Sequence, residues 1–102
     1  MSTLHTVNKS PFEKTSLAAC LDHLSAGAAV LLLEDGVYAA LTQTSAEGQV
    51  KAALDSVKVY ALGPDLQARG LSEERVIPGI SVVDYAGFVD LAAEHDKVQA
   101  WL

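Results

Sequence analysis

At 102 residues the chain is sized for one domain with a modest core, yet half of it is hydrophobic and only 20% is charged. A net charge of -6 without any basic cluster argues against direct nucleic-acid binding and against an anionic membrane surface. A single cysteine, Cys20, rules out an internal disulfide and fits a reducing compartment.

The apolar surplus on so small a chain suggests that part of it lies in a subunit interface. Residues 1–7 lack the basic start and long apolar run of a signal peptide. The longest apolar run, Ala28 to Leu33, is too short to cross a bilayer. Cytoplasmic residence is the expectation, with the chain as one domain over 1–102.

Thr3 to Val7 reads as a first strand that ends at Asn8. Ser10-Pro11-Phe12-Glu13 has the form of a capping box with proline at the first helical position. Thr15 or Ser16 offers a second helix start. In either case Leu17, Cys20, Leu21 and Leu24 recur at helical spacing, and Gly27 closes the helix. Ala29 to Leu33 is a continuous apolar run, as in a strand buried on both faces of a parallel sheet. Asp35 is placed to cap the next segment, where Val37, Ala40 and Leu41 keep a helical pattern. Ala46 to Leu54 reads as another short helix.

Val57 to Leu62 is the third strand, and Pro64-Asp65 starts a short helix through Ala68 that Gly70 closes. Ser72 caps a further turn, and Pro78-Gly79 is a loop. Ile80 to Val83 is the fourth strand. Asp84 then caps a helix in which Tyr85, Phe88, Val89 and Ala92 share a face. Lys97 to Leu102 reads as a short tail carrying Trp101, which packs either on its own body or on a partner. Strands alternating with helices indicate an α/β fold with a mostly parallel sheet flanked by helices. Chemistry in such sheets sits at the carboxyl ends of strands. Here those ends are Asn8 to Pro11, Glu34 to Gly36, Gly63 to Asp65, and Asp84-Tyr85.

No phosphate-binding glycine loop is present, and the histidines His5, His23 and His95 are scattered, so no cofactor or metal site is expected. Asp35 at a strand end admits a receiver-like phospho-acceptor reading beside its reading as a cap. His5 and His95 read as structural or surface residues. Cys20 is the one nucleophile candidate. A thiolate can accept sulfane sulfur as a persulfide and pass it on, given access and a lowered pKa. His23, three residues on, is placed to lower that pKa. Against this, Cys20 lies on the apolar stripe, where a cysteine is a small hydrophobe.

Four stretches carry a resemblance: Leu4-His5-Thr6 with Ser10-Pro11; Leu31 to Val37; Lys58 to Leu62 with Asp65 to Leu71; and Asp84 to Leu91. Together they resemble the DsrH/TusB family over nearly the whole chain, most closely the DsrH branch of sulfur-oxidising bacteria. The resemblance implies a DsrE-like, flavodoxin-like α/β fold. It implies assembly with DsrE/TusD-like and DsrF/TusC-like subunits as a dimer of heterotrimers, relaying persulfide sulfur to a DsrC/TusE-like acceptor. In the Tus branch that sulfur ends in 2-thiouridine of tRNA; in the Dsr branch it serves oxidation of stored sulfur. The principal sulfur-carrying cysteine of such complexes belongs to the DsrE/TusD-like subunit. Cys20 matches a cysteine of the DsrH branch that TusB-type members can lack. The resemblance thus allows two roles. One is a subunit that contributes Cys20 as an accessory carrier, tuned by His23 and approached past Glu34-Asp35-Gly36. The other is a structural subunit that positions a partner's cysteine.

Overall fold

The strands form where apolar, β-branched runs sit between glycine and polar breakers. The computed structural model describes residues 2–102. In it β1 (Thr3–Val7), β2 (Ala29–Leu32), β3 (Lys58–Leu62), β4 (Ser81–Val83) and β5 (Lys97–Trp101) make one sheet, in the order β4-β3-β2-β1-β5. Every pairing is parallel, with Val7 opposite Leu32 and Leu32 opposite Ala61 in the interior. β2 lies at the centre and is buried along its whole length, as its unbroken Ala-Val-Leu-Leu run requires.

Helices α1 (Ser16–Asp22), α2 (Glu47–Leu54), α3 (Gly63–Ala68) and α4 (Tyr85–Glu94) join the strands, together with a 3-10 helix over Glu34–Ala40. The larger core lies on one face of the sheet. There Val7, Val30, Leu32, Val59 and Ala61 meet Leu17 and Cys20 of α1, Val37 of the 3-10 helix, Val50 of α2 and Leu66 of α3. The opposite face carries a smaller core, Leu4, Ala29 and Leu31 under Leu91 of α4, with Phe88 and Ala92 packed at its margin. Each fully buried leucine on either side contributes about 1.5–3 kcal/mol relative to exposure. The cover of the two faces is unequal: among the described residues α4 alone crosses the second one.

Several local signals act as expected. Gly70 takes a left-handed φ angle of 67° where it closes α3, whereas Gly27, at 84°, turns the loop after an α1 that already ends at Asp22 under the His23 cap, short of the expected stop. The Asp84 carboxylate accepts from the Gly87 amide at 2.8 Å, capping α4. Ser72 accepts from the Glu74 amide at 3.1 Å.

Other signals resolve differently. Ser10 to Glu13 forms a turn, with Ser10 Oγ accepting from Phe12 N at 3.2 Å, and α1 begins only at Ser16. Lys14 and Glu13 both donate their amides back to the Ser10 carbonyl, so the capping signals there close a turn that does not propagate. The expected tail is ordered: Lys97–Trp101 is a strand that pairs with β1 along its length. In α4 the expected face splits. Phe88 and Ala92 lean on the small core, whereas Tyr85 and Val89 stand 61% and 66% exposed, because Leu91 supplies the buried contact instead.

Candidate functional site

Cys20 sits in the last turn of α1, on the side that faces the sheet. Its residue surface is 0% exposed. Burial pushes the thiol from 9.0 up to about 12, because a thiolate there would be stripped of water. The geometry therefore supplies neither the access nor the lowered pKa that a persulfide carrier needs. The apolar stripe that α1 presents is core packing, and Cys20 belongs to it.

His23 does not address the thiol. It follows α1 as the capping residue, with its amide on the Cys20 carbonyl, while its ring Nδ1 lies 2.7 Å from the Ala19 carbonyl. Since a carbonyl accepts, Nδ1 carries the proton in that bond. The ring lies against the indole of Trp101, centroid to centroid 5.4 Å. Trp101 thus packs on its own body, at the edge of the larger core. Its Nε1 donates to His5 Nδ1 at 3.0 Å. An indole nitrogen is only a donor, so His5 Nδ1 holds a lone pair and His5 is neutral with its proton on Nε2. Burial, with help from His23 and Lys97, holds the His5 pKa below 6.5. In sequence His5, His23 and Trp101 are unrelated residues. Only the pairing of β5 with β1 brings them together, and nothing in their spacing announces it.

The strand carboxyl ends hold a second constellation. Asn8 Nδ2, just past β1, donates to Glu34 Oε2 at 3.0 Å, and the Glu34 amide donates to Asp65 Oδ2 at 2.6 Å. Glu34 takes a left-handed φ of 50°, a strained choice for a non-glycine residue that these two bonds support. Asp35 does not cap the 3-10 helix. Its carboxylate accepts from Arg69 Nε at 3.0 Å and Nη2 at 2.9 Å, while Arg69 Nη1 reaches the Asp65 carbonyl. Arg69 therefore ties the loop after β2 to the helix after β3. Both bonds to Asp35 fall on its Oδ1, so the carboxylate serves here as the ion-pair partner of Arg69.

Gly36 explains the tight passage of this loop. A Cβ there would overlap the Val7 carbonyl and lie 3.5 Å from Asn8 Cα. The stretch Glu34-Asp35-Gly36 is thus a structural corner with every polar side chain engaged. Among the described residues no group of three or more histidines, cysteines or carboxylates is placed to hold a metal ion. No described helix is long and apolar enough to cross a membrane.

Phe12 and Leu102 are exposed near these constellations, and three further exposed apolar side chains lie on α4 and β5. Tyr85 and Val89 are one helical turn apart on α4. Val98 of β5 is 49% exposed and pairs with Leu4, so it emerges on the sheet face that α4 only partly covers.

Comparison with known proteins bears on these features. The family model described as DsrH like protein matches residues 9–98. Protein TusB of Shigella flexneri is 42% identical over 98 residues, covering 96% of this chain and 99% of that one. Protein TusB of Escherichia coli O1:K1 is 43% identical over the same shares. Among solved structures, the ychN protein from E. coli superposes with a TM-score of 0.79 at 20% identity, over 98% of this chain and 99% of that one. A protein of unknown function, MTH1491 from Methanobacterium thermoautotrophicum, gives a TM-score of 0.79 at 14% identity, over 96% and 97%. At those identities the structural likenesses speak to the fold alone, and the fold agrees.

Proposed function

Since the chain belongs to the DsrH/TusB family, we propose that it is a subunit of a sulfur-relay assembly of the DsrEFH or TusBCD type. Its part there is structural: it helps to build the assembly around a DsrE/TusD-like partner whose cysteine carries the persulfide to a DsrC/TusE-like acceptor. The observation that carries this reading is the burial of Cys20, whose thiol is held in its neutral form. A subunit with no exposed thiol of its own takes part in persulfide exchange through its neighbours.

The thinly covered face supports the same reading. Tyr85 and Val89 of α4 and Val98 of β5 are exposed apolar side chains that a small acidic chain gains by burying. An interface core of this kind concentrates its energy in a few buried aromatic and aliphatic anchors. On this reading the DsrE/TusD-like or DsrF/TusC-like subunit docks over α4.

The test is co-expression with the two partner subunits, then intact-mass analysis after incubation with a persulfide donor. The expected result is a reducible gain of one sulfur on the DsrE/TusD-like subunit and none on this chain. Cys20→Ser should leave assembly and transfer unchanged, whereas Val89→Asp should release this chain from the complex. Sulfur on Cys20, lost in Cys20→Ser, would overturn the structural role and make this chain a carrier.

A further inference from the structure

Strand β5 is held on one side only. In the sheet order it is an edge, paired with β1 and open to solvent along its other flank. Of its five side chains, those of Lys97, Val98, Gln99 and Ala100 are exposed, and Trp101 alone is inserted. Beyond the ladder, the Asp96 and Lys97 amides donate to the Ser2 carbonyl at one end. At the other end Ser16 Oγ donates to the Leu102 carbonyl at 3.1 Å. Among the described residues, the only polar side-chain bond that reaches from inside the strand to the body is the one from Trp101 Nε1 to His5 Nδ1.

We infer that His5 and Trp101 form a proton-operated latch on β5, and that protonating His5 releases this strand from the sheet. A second proton on the imidazole turns Nδ1 from acceptor into donor, and it then faces the N–H of the indole. The bond is lost, and a charge is left on a residue that is only 4% exposed. The groups that face this imidazole make the outcome one-sided. His23 from α1 and Lys97 from β5 act on it, and both oppose a positive charge. Across the ladder β2 sets Val30 beside it and β5 sets Gln99, neither of which can neutralise a cation. In this chain, then, relief comes from exposing the ring, and β5, an edge strand paired on one side only, is the element able to move. Release would bare the unpaired edge of β1 and the flank of α1 together, which is a change in the surface the chain presents to a partner. The latch rests on the His5–Trp101–His23 geometry and is independent of the structural role proposed above.

The chain's single tryptophan makes the test direct. On the whole 102-residue chain, the indole N–H resonance and the His5 ring signals are followed by NMR from about pH 8 to about pH 4.5, with amide exchange of each strand corrected for its intrinsic pH dependence. The expected result is that the indole shifts with the same midpoint as His5. On the acid side β5 protection should fall by about tenfold or more relative to β2 and β3. In His5→Asn the amide oxygen still accepts from the indole but cannot titrate, so the step should vanish. An indole resonance that ignores the His5 titration would overturn the latch. So would β5 protection that falls only in parallel with β2 and β3, or a step that His23→Gln removes and His5→Asn keeps. Co-titration of the indole and His5 is read on the wild-type chain, so the outcome does not depend on the variants folding.

Discussion

Alkylation of Cys20 gives the sharpest check on its assigned place in the core. A thiol reacts as its thiolate. With a pKa of 9.0, about one cysteine in ten is ionised at pH 8, whereas a pKa pushed up to about 12 leaves about one in ten thousand. Ionisation alone therefore slows the folded chain about a thousandfold relative to the unfolded one. Complete burial slows it further, because the reagent waits for an opening of the fold. The measurement is the rate of mass gain with iodoacetamide at pH 8, in buffer and in concentrated guanidinium chloride. A native rate about a thousandfold or more below the denatured rate is the expected result. Rates within about tenfold of each other would mean that the thiol is reachable and ionisable in the folded state, and the core placement of Cys20 would fail.

Other consequences can be checked by ordinary denaturation. Gly36→Ala drives a Cβ into the Val7 backbone, so a loss of about 2–3 kcal/mol is expected, seen as a fall in Tm of about 10–20 °C; an unchanged Tm would show that the corner can yield. Arg69→Ala removes an ion pair whose Asp35 side chain is 54% exposed, so the cost should stay within about 1 kcal/mol and shrink further at high salt. A salt-independent loss of several kcal/mol would give that bridge a weight its exposure does not allow. His5 sets an acid-side trend. Its folded pKa lies below its unfolded value of 6.5, so the unfolded chain binds the extra proton first. Stability should therefore decline as pH falls through 6.5 and level off once pH is under the folded pKa. Urea midpoints across that window check it, and the decline should be smaller in His5→Asn.

Much of the sheet was legible because its strands obey local rules. β2 declares itself by an apolar run between Gly27 and Glu34, and β3 by the run that ends at Gly63-Pro64. β5 was illegible for a physical reason. An edge strand exposed on both faces carries no burial pattern, and Lys97-Val98-Gln99-Ala100 reads as a solvated tail until β1 is beside it. The capping signals at Ser10 to Glu13 were real hydrogen-bonding chemistry, but a turn uses the same bonds as a helix start. The sequence neighbours of Asp35 suggest a cap, whereas its partner Arg69 lies 34 residues away, just past the end of α3. Cys20 shows the limit most clearly. Helical spacing places it on a stripe, but a stripe can face a core or a partner, and only the packing of α1 against the sheet decides between them. Family resemblance supplied what periodicity could not, namely the family itself.

The sheet order has a consequence for timing. β1 is made before the other four strands of this sheet, yet it lies in the sheet's interior, between β2 and a strand that begins at Lys97. While a ribosome extends the chain, β1 acquires β2 early and then waits for about sixty-five further residues before its other edge begins to close. Throughout that interval His5 lacks its indole partner and a row of backbone donors and acceptors stands open to any passing strand. Pairings of such long separation also form slowly, because the loop must close before the contact rewards it. A nascent chain of this topology gains from early capture of that edge, which makes its vulnerability in the cell a matter of synthesis order as much as of final stability.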